Sequence, residues 1–214
     1  MIDTYKHKGM RKQLTQELSD KGIKSVAVLN AIMAVPRHYF LDAVFTEQAY
    51  SNMPFQIGAG QTISHPYTVA FQTELLELSK GEKVLEIGTG SGFQTAILCE
   101  LGCKVLSIER QRELFLKASQ ILPKLHYTPK LKFGDGYKGW PSFAPFDKII
   151  ITCGAPFIPQ DLIDQLKVGG LMVIPLGEGK NQEMLLIRKE SDGTLTKRQM
   201  GVFSFVPMLK ETAK

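Results

Sequence analysis

The spacing of apolar residues along the chain changes near residue 81. Before that point apolar positions recur at helical intervals: Leu14 and Leu18 lie four residues apart, and a second apolar run begins at Ser25 and stops at Pro36. No alternating pattern of the kind that marks strands is apparent there. The pattern therefore predicts an N-terminal region made of helices.

A glycine-rich stretch interrupts this helical region. Residues 57–64, Ile-Gly-Ala-Gly-Gln-Thr-Ile-Ser, are mostly small or polar, and we expect them to form a flexible segment. A further helix is predicted from about Pro66 to Ser79, because proline suits a first helical turn and Gly81 suits the exit from the helix.

Beyond residue 81 short apolar runs alternate with longer amphipathic ones, which is typical of a parallel sheet wrapped by helices. Strands are predicted at residues 83–87, 104–109, 130–133, 147–152 and 171–176, and helices at about 92–101, 111–122 and 159–167, with Gly102, Pro123 and Gly169 as stops. Two further strands, residues 184–189 and 195–206, flank an Asp-Gly pair at Asp192 that marks a tight hairpin. The predicted fold class is α/β: a mostly parallel, doubly wound sheet of seven strands with an antiparallel C-terminal edge and an N-terminal helical cap.

The clearest chemical signal is the segment Val84–Gly92, in which a buried strand runs into glycines at positions 88, 90 and 92 and then into a helix. Glycine lacks a Cβ, so the backbone can turn sharply there and let a ligand approach. Ligands of open α/β sheets bind at the carboxyl ends of the strands. The G-x-G-x-G spacing differs from the G-x-G-x-x-G of dinucleotide-binding folds, and it favours S-adenosylmethionine over a nicotinamide cofactor.

Three carboxylates on or just after predicted strands are candidates for binding that cofactor. Glu109 ends the second strand, where it can accept hydrogen bonds from both ribose hydroxyls; a surface glutamate is the alternative. Glu86 lies inside the first strand, where an unpaired charge is costly, and would organise the glycine turn or the cofactor's amino-acid end. Asp135, followed by Gly136, could contact the adenine amino group or could simply form a common turn.

Ser64 is the candidate on the acceptor side. It closely precedes the helix predicted from Pro66, whose amides and dipole would attract an anion. Serine is also a preferred N-cap, and a cap needs no catalytic role. Local physics leaves these two interpretations open.

Composition narrows the class of protein without naming a reaction. The 214 residues are 43% hydrophobic and 22% charged, and the formal charge of +5 is spread without a dense basic run, which argues against nucleic acid as a partner. With neither a bilayer-length apolar run nor a signal-type segment, we expect a cytoplasmic protein that does not bind membranes. Three cysteines and four histidines show no metal-ligand spacing, so no metal is predicted.

On these motifs the sequence resembles the protein-L-isoaspartate (D-aspartate) O-methyltransferase family over nearly the whole chain. The most specific matches are Gly60–Tyr67, Val84–Ala96, Gly134–Gly136 and Ala144–Asp147, with Val35–Arg37 and Phe205–Pro207 in addition. The resemblance implies a Rossmann-like class I S-adenosylmethionine-dependent methyltransferase. In it residues 1–214 form a single, monomeric domain, with a helical cap and substrate segment over 1–80 and a cofactor-binding core over 81–214.

The resemblance also implies a protein repair reaction. A methyl group moves from S-adenosylmethionine to the α-carboxylate of an L-isoaspartyl residue in a damaged peptide or protein, and the methyl ester returns through a succinimide towards L-aspartate. In the family the position of Ser64 belongs to the active site, which favours a catalytic Ser64 with Thr62 and Ile63 beside it in substrate binding. The residues assigned to the cofactor are Glu86, Gly88, Thr89, Gly90, Gly92, Glu109, Asp135 and Gly136, and no contact is assigned to Met208–Lys214.

This reaction needs no general base, because a carboxylate with an ordinary pKa of about 4 is already ionised at neutral pH. Three other interpretations stay open: a methyltransferase for RNA or a small molecule, a nicotinamide-dependent oxidoreductase that uses Glu109 for the ribose, and a silent binding module that has kept the fold. The Thr62–Ser64 segment argues against the first of them.

Overall fold

The computed structural model describes residues 2–213, so the two ends of the predicted 1–214 domain, Met1 and Lys214, lie outside the described residues. Helices α1 (Tyr5–Asp20) and α2 (Val26–Ala34) come first, as the apolar spacing predicts. The side chain of Ser25 accepts a hydrogen bond from the amide of Val28, which fixes the start of α2. Two 3₁₀ turns follow, at Arg37–Phe40 and Ala43–Gln48.

The expectation of a flexible segment without strands is wrong for most of residues 55–63. Strands β1 (Phe55–Gly58) and β2 (Gln61–Ile63) form an antiparallel hairpin in which Phe55 pairs with Ile63. Along β1, buried Phe55 and Ile57 alternate with exposed neighbours, which is the burial pattern of a strand. The pattern lasts only four residues, so it is too short to stand out from the glycine-rich composition around it.

The remaining elements follow the predicted alternation of strands and helices. Helix α3 begins at Pro66, as predicted, and ends at Leu75. After it come β3 (Lys83–Ile87), α4 (Phe93–Glu100), β4 (Lys104–Glu109), α5 (Arg112–Lys124), β5 (Lys130–Phe133), β6 (Phe146–Ile151), α6 (Gln160–Gln165), β7 (Leu166–Leu176), β8 (Gln182–Lys189) and β9 (Leu195–Phe203).

Seven strands form the main sheet in the order β5-β4-β3-β6-β7-β8-β9. The first five in this order are parallel, whereas β8 runs antiparallel to β7 and β9 antiparallel to β8. This confirms the predicted mostly parallel sheet with an antiparallel C-terminal edge. Because β4 and β6 flank β3, the strand order reverses at β3, and such reversal points are where open α/β sheets bind ligands.

Three helix ends differ from the predicted positions. Helix α3 ends at Leu75 and not at Ser79, because the chain leaves the helical conformation at Glu77, whose φ angle is 49°. Helix α6 stops at Gln165 and not at residue 167, because Leu166 pairs with Phe146 and so begins β7. Helix α5 passes through Pro123, the predicted stop, and ends at Lys124. A proline so close to the end removes only one backbone donor, and the amide of Leu125 still closes the last turn on the carbonyl of Ile121.

Apolar side chains cover both faces of the sheet. On β3, Val84 packs on one face in a cluster with Leu76 and Leu98, while Leu85 packs on the other face in a cluster with Leu162. Strands that are covered on both faces read as nearly continuous apolar runs, which explains why these strands were predictable. None of the helices within residues 2–213 is long and apolar enough to cross a membrane.

A third buried cluster joins the N-terminal helices to the sheet's own helices. Leu14 of α1 and Ile32 of α2 share it with Ala96 of α4 and Leu114 of α5. Since α4 starts directly after the glycine turn, this packing holds the N-terminal region beside the carboxyl end of β3.

Candidate active site

A cavity opens at the carboxyl ends of the central strands, where the strand order reverses. It encloses about 840 Å³ of non-protein space, its open mouth included. Its wall is formed by the glycine turn after β3, the ends of β4 and β6, the hairpin strand β2, and helices α3 and α4.

The glycine turn is held from both neighbouring strands. The amide of Gly88 donates to the carbonyl of Ile108 at 2.9 Å, and the hydroxyl of Thr152, after β6, donates to the carbonyl of Gly88 at 2.7 Å. Gly88 has a φ angle of 98°, and a Cβ there would lie 2.5 Å from the Thr152 Oγ1. Only glycine fits this position, so the turn presents bare backbone to the cavity.

Glu109 lies where the sequence predicts, at the end of β4 and on the cavity wall. Its carboxylate accepts hydrogen bonds from the amide of Gly90 at 2.8 Å and from the amide of Gln111 at 2.7 Å. Burial raises the pKa of Glu109, whereas these amides favour the ionised form. A carboxylate has about four acceptor sites, so two remain for the two hydroxyls of a ribose.

Glu86 lies behind the turn and does not line the cavity. It is fully buried, and its Oε2 accepts a hydrogen bond of 2.5 Å from the hydroxyl of Thr95, in the first turn of α4. Its Oε1 has no hydrogen-bond partner among residues 2–213. Burial raises the pKa of Glu86 to about 8, against the effect of the Thr95 and Ser107 hydroxyls. Of its two predicted tasks, this placement favours organising the turn over contacting the cofactor.

Asp135 is not among the residues that line the cavity, and its carboxylate binds backbone groups. Its Oδ1 accepts from the amide of Tyr137 at 2.9 Å and its Oδ2 from the amide of Glu211 at 3.1 Å. The side chain therefore caps a 3₁₀ turn, as the turn interpretation predicts, while Gly136 lines the cavity. Of the other assigned glycines, Gly90 also lines the cavity, whereas Gly92 caps α4 with a φ angle of 89°.

The acceptor segment Thr62–Ser64 lies on the same cavity as the glycine turn. The interpretation of Ser64 as a helix cap is wrong: the capping position of α3 is His65, and no side chain caps this helix. Within residues 2–213 the Ser64 hydroxyl makes no hydrogen bond, while its carbonyl accepts from Arg37 at 3.0 Å. The hydroxyl of Ser64 is thus available to a ligand.

Gln94 is a cavity residue that sequence reasoning missed. Its Nε2 donates to the hydroxyl of Thr73 at 2.9 Å, and that hydroxyl in turn donates to the carbonyl of Val69 at 2.7 Å. The Gln94 Oε1 is therefore left as an acceptor, and it is buried without a partner. An unsatisfied acceptor on the wall fits a ligand with donor groups, such as the ammonium of a bound amino-acid moiety.

The C-terminal tail was also missed, because no contact was assigned to it. Residues Val206–Leu209 line the cavity, and the amide of Met208 donates to the carbonyl of Gly154 at 2.7 Å. Further along, the guanidinium of Arg110 donates to the carbonyl of Glu211 at 3.0 Å. These contacts join groups far apart in sequence, and the spacing of apolar residues cannot indicate them.

Three side chains near the start of the chain come together although their sequence spacing shows no metal motif. Potential ligand atoms of Asp3, His7 and His38 lie within 4.8 Å of one another. Both carboxylate oxygens of Asp3 accept from Arg11 at 2.8 Å, and the two imidazole rings pack against each other with centroids 4.0 Å apart. The cluster is thus held together by an ion pair and ring packing.

Comparison with known proteins agrees with this geometry. A family model described as protein-L-isoaspartate(D-aspartate) O-methyltransferase matches residues 9–213. The chain is 57% identical over 212 residues to a protein-L-isoaspartate O-methyltransferase of Christiangramia forsetii, and the match covers 99% of each chain.

Two solved structures share the fold. A protein-L-isoaspartate O-methyltransferase matches with a TM-score of 0.83 and 27% identity, over 92% of this chain and 65% of that one. A protein-L-isoaspartate O-methyltransferase from Plasmodium falciparum, in complex with S-adenosyl-L-homocysteine, matches with a TM-score of 0.82 and 24% identity, over 96% and 99% of the two chains. The sheet and helices are thus those of a class I methyltransferase fold.

The unfolding free energy of Glu86→Gln, relative to that of the native sequence, should increase as the pH rises. Between the ordinary pKa of 4.5 and about 8 the folded state holds a proton that the unfolded chain releases, so the unfolding free energy of the native sequence falls across this window. We expect the advantage of Glu86→Gln to grow by on the order of 3 kcal/mol between about pH 5 and pH 8, measured by urea unfolding. Glu178→Gln, at an exposed loop residue, is the control. Parallel pH profiles for all three proteins would contradict a protonated Glu86.

Gly136→Ala should weaken cofactor binding, whereas Gly134→Ala should not. A Cβ on Gly136 would lie 2.4 Å from Ile87 Cγ2, but one on Gly134 would meet only the flexible end of Lys132, at 3.1 Å. Relieving this clash costs about 1–3 kcal/mol and moves Ile87, which lines the same cavity as Gly136. We therefore expect Gly136→Ala to bind S-adenosylhomocysteine roughly tenfold more weakly by calorimetry. Equal affinities for the two variants would show that Gly136 does not shape the site.

Proposed function

This chain belongs to the protein-L-isoaspartate(D-aspartate) O-methyltransferase family, and we propose that Ser64 orients the acceptor carboxylate opposite a methyl donor bound over the glycine turn. The protein is an S-adenosylmethionine-dependent repair enzyme that methylates L-isoaspartyl residues in peptides and proteins. One observation carries the proposal: the Thr62–Ser64 segment and the Gly88–Ser91 turn line the same cavity. Donor and acceptor groups can therefore meet there.

On the donor side, the residues fit S-adenosylmethionine. Glu109 would accept hydrogen bonds from the ribose hydroxyls, the bare backbone at Gly88 and Gly90 would allow close approach, and the unpartnered Gln94 Oε1 would accept from the ammonium. Gly136 would leave room beside the adenine. The bound cofactor supplies an activated methyl group on a sulfonium.

On the acceptor side, Ser64 would donate its hydroxyl to one oxygen of the substrate's α-carboxylate. Thr62 and Ile63 lie beside it on the cavity wall and would contact the adjoining part of the peptide. The other carboxylate oxygen then faces the methyl group as the nucleophile. Since the carboxylate is ionised at neutral pH, no side chain has to remove a proton.

Catalysis in this arrangement rests on alignment. Oxygen, methyl carbon and sulfur must lie in line, and holding reactants in such a geometry can supply several kcal/mol of the rate acceleration. The tail residues Val206–Leu209 cover part of the cavity and would keep water away from the reacting atoms. The neutral ester that leaves the site closes to a succinimide as the backbone nitrogen displaces methanol, and water opens the succinimide towards L-aspartate.

The wider setting of the enzyme is also part of the proposal. Residues 1–214 would act as a single domain, in which the helical region up to residue 80 forms the cap and substrate segment. The shared cluster of Leu14, Ile32, Ala96 and Leu114 supports this, since the cap has no separate core. We further propose a cytoplasmic monomer that acts on isoaspartyl peptides and proteins and not on nucleic acid, because its positive charges are dispersed.

The activity is tested by incubating the protein with labelled S-adenosylmethionine and an isoaspartyl peptide. We expect a base-labile methyl ester on this peptide and none on its twin with a normal aspartyl residue. Formation of S-adenosylhomocysteine, followed by chromatography, gives a second reading that ester hydrolysis does not affect. Equal labelling of the two peptides, or no labelling of either one, would refute the proposed substrate.

Ser64→Ala should lower turnover roughly tenfold or more, because the carboxylate loses the donor that aligns it. Binding of S-adenosylhomocysteine should stay unchanged, since Ser64 is on the acceptor side. The matched control is Ser119→Ala, which removes a hydroxyl on α5 that donates only to the carbonyl of Phe115. Full turnover in a folded Ser64→Ala variant would remove Ser64 from the reaction.

A further inference from the structure

Arg37 is a fully buried side chain that contacts the acceptor segment from behind. Its exposed fraction is 1%. Its Nη1 donates to the carbonyl of Ala49 at 2.6 Å, and its Nη2 donates to the carbonyls of Met53 at 2.9 Å and Ser64 at 3.0 Å. The guanidinium thus fixes the peptide unit that joins Ser64 to His65.

The same guanidinium lies between two aromatic rings. Its central carbon is 5.5 Å from the ring centroid of Phe55, in β1, and 5.7 Å from that of Phe93, the first residue of α4. Phe93 directly follows the glycine turn. Arg37 therefore connects the β1–β2 hairpin to helix α4, which starts directly after the glycine turn.

The charge of Arg37 is unpaired. No carboxylate among residues 2–213 forms an ion pair with it, and its Nε has no hydrogen-bond partner. Burial lowers the pKa of Arg37 to about 9, so it stays positively charged at neutral pH. Burying a charge without an ion pair is costly, although three carbonyl oxygens accept hydrogen bonds from this guanidinium. Arg37 therefore brings a positive charge, and not only hydrogen-bond donors, to the back of the Thr62–Ser64 segment.

The residues that directly follow Ser64 supply little positive potential. At the start of α3, Pro66 has no N–H, and the N–H of Tyr67 donates to Asn52 Oδ1 at 2.9 Å. Burial, together with the charge of Arg37, lowers the pKa of His65, so this imidazole is neutral at pH 7. An anion beside Ser64 would therefore interact mainly with the charge of Arg37 among these groups.

The peptide geometry shows how that charge would act. Carbonyl and amide point in opposite directions across a planar trans peptide, so the Ser64 carbonyl that faces Arg37 leaves the His65 N–H directed away from it. The guanidinium polarises this peptide unit and makes its far side more positive.

We propose that Arg37 is a positioning residue that makes the acceptor site selective for an anion, acting through the Ser64–His65 peptide unit it holds. The inference rests on the proposed placement of the acceptor carboxylate beside Ser64. It predicts that removing the charge weakens binding of a carboxylate far more than binding of a neutral group of the same shape.

The test compares two peptides on the enzyme saturated with S-adenosylhomocysteine, so that no turnover occurs. One is an isoaspartyl peptide with its α-carboxylate, and the other is the same peptide with an α-carboxamide. We expect the wild-type protein to bind the carboxylate at least about tenfold more tightly, and Arg37→Met to lose most of this preference. Arg37→Lys, measured at about pH 6 so that a buried ammonium keeps its proton while the carboxylate stays ionised, should retain the preference within about threefold even if both affinities fall.

The outcomes separate Arg37 from the proposed function. If Arg37→Met weakens both peptides equally, its role is structural and the inference is overturned; loss of the preference in a folded Arg37→Lys also overturns it. Arg37→Gln replaces Arg37→Met if the latter does not fold. If neither variant folds, the preference of the wild-type protein for the carboxylate peptide is measured in about 0.5 M salt. Salt screens a buried charge poorly, so we expect the preference to persist, and its collapse would overturn the inference. Failure of the wild-type protein to methylate the isoaspartyl peptide would instead refute the proposed function.

Discussion

The active site depends on a backbone turn that is held from two sides. At the end of β3, Gly88 donates to Ile108 of β4 and its carbonyl accepts from Thr152 after β6, while the carboxylate of Glu109 holds the amide of Gly90. A side chain at Gly88 would displace Thr152 and break one side of this arrangement. Everything else at the site is placed relative to this turn, because α4 starts from it and the N-terminal helices pack on α4.

The parts of the site that the sequence predicts are those whose determinants are local. The strand before Gly88, the glycine spacing and the position of Glu109 at the end of β4 follow from apolar runs and turn chemistry within a few residues. Local physics leaves Ser64 undecided between an active-site residue and a helix cap. The resemblance of Thr62–Ser64 to one family favours the active-site role. The structure excludes the cap interpretation, because the capping position of α3 is His65, one residue after Ser64, and no side chain caps the helix.

Most of the missed features depend on contacts between distant residues. Arg37 reaches a carbonyl 27 positions further along the chain, and the tail at Glu211 meets Asp135 across 76 positions. The hairpin β1–β2 is local, but its strands are too short for their alternation to outweigh the surrounding glycines. Only the packed fold shows that these segments close the cavity that the glycine turn opens.

The position of Arg37 also suits the chemistry proposed for the cavity. Methyl transfer from a sulfonium to a carboxylate starts from two opposite charges and ends with two neutral groups, so a cation that paired directly with the carboxylate would stabilise the reactants and oppose the step. Arg37 is one peptide unit away, behind the carbonyl of Ser64, and does not occupy the carboxylate oxygens. In the proposed arrangement its charge would favour an anionic acceptor, while the hydroxyl of Ser64 would make the direct contact and the second oxygen would stay free to attack. Placing the charge behind the backbone therefore reconciles selectivity for an anion with a nucleophile that is not masked.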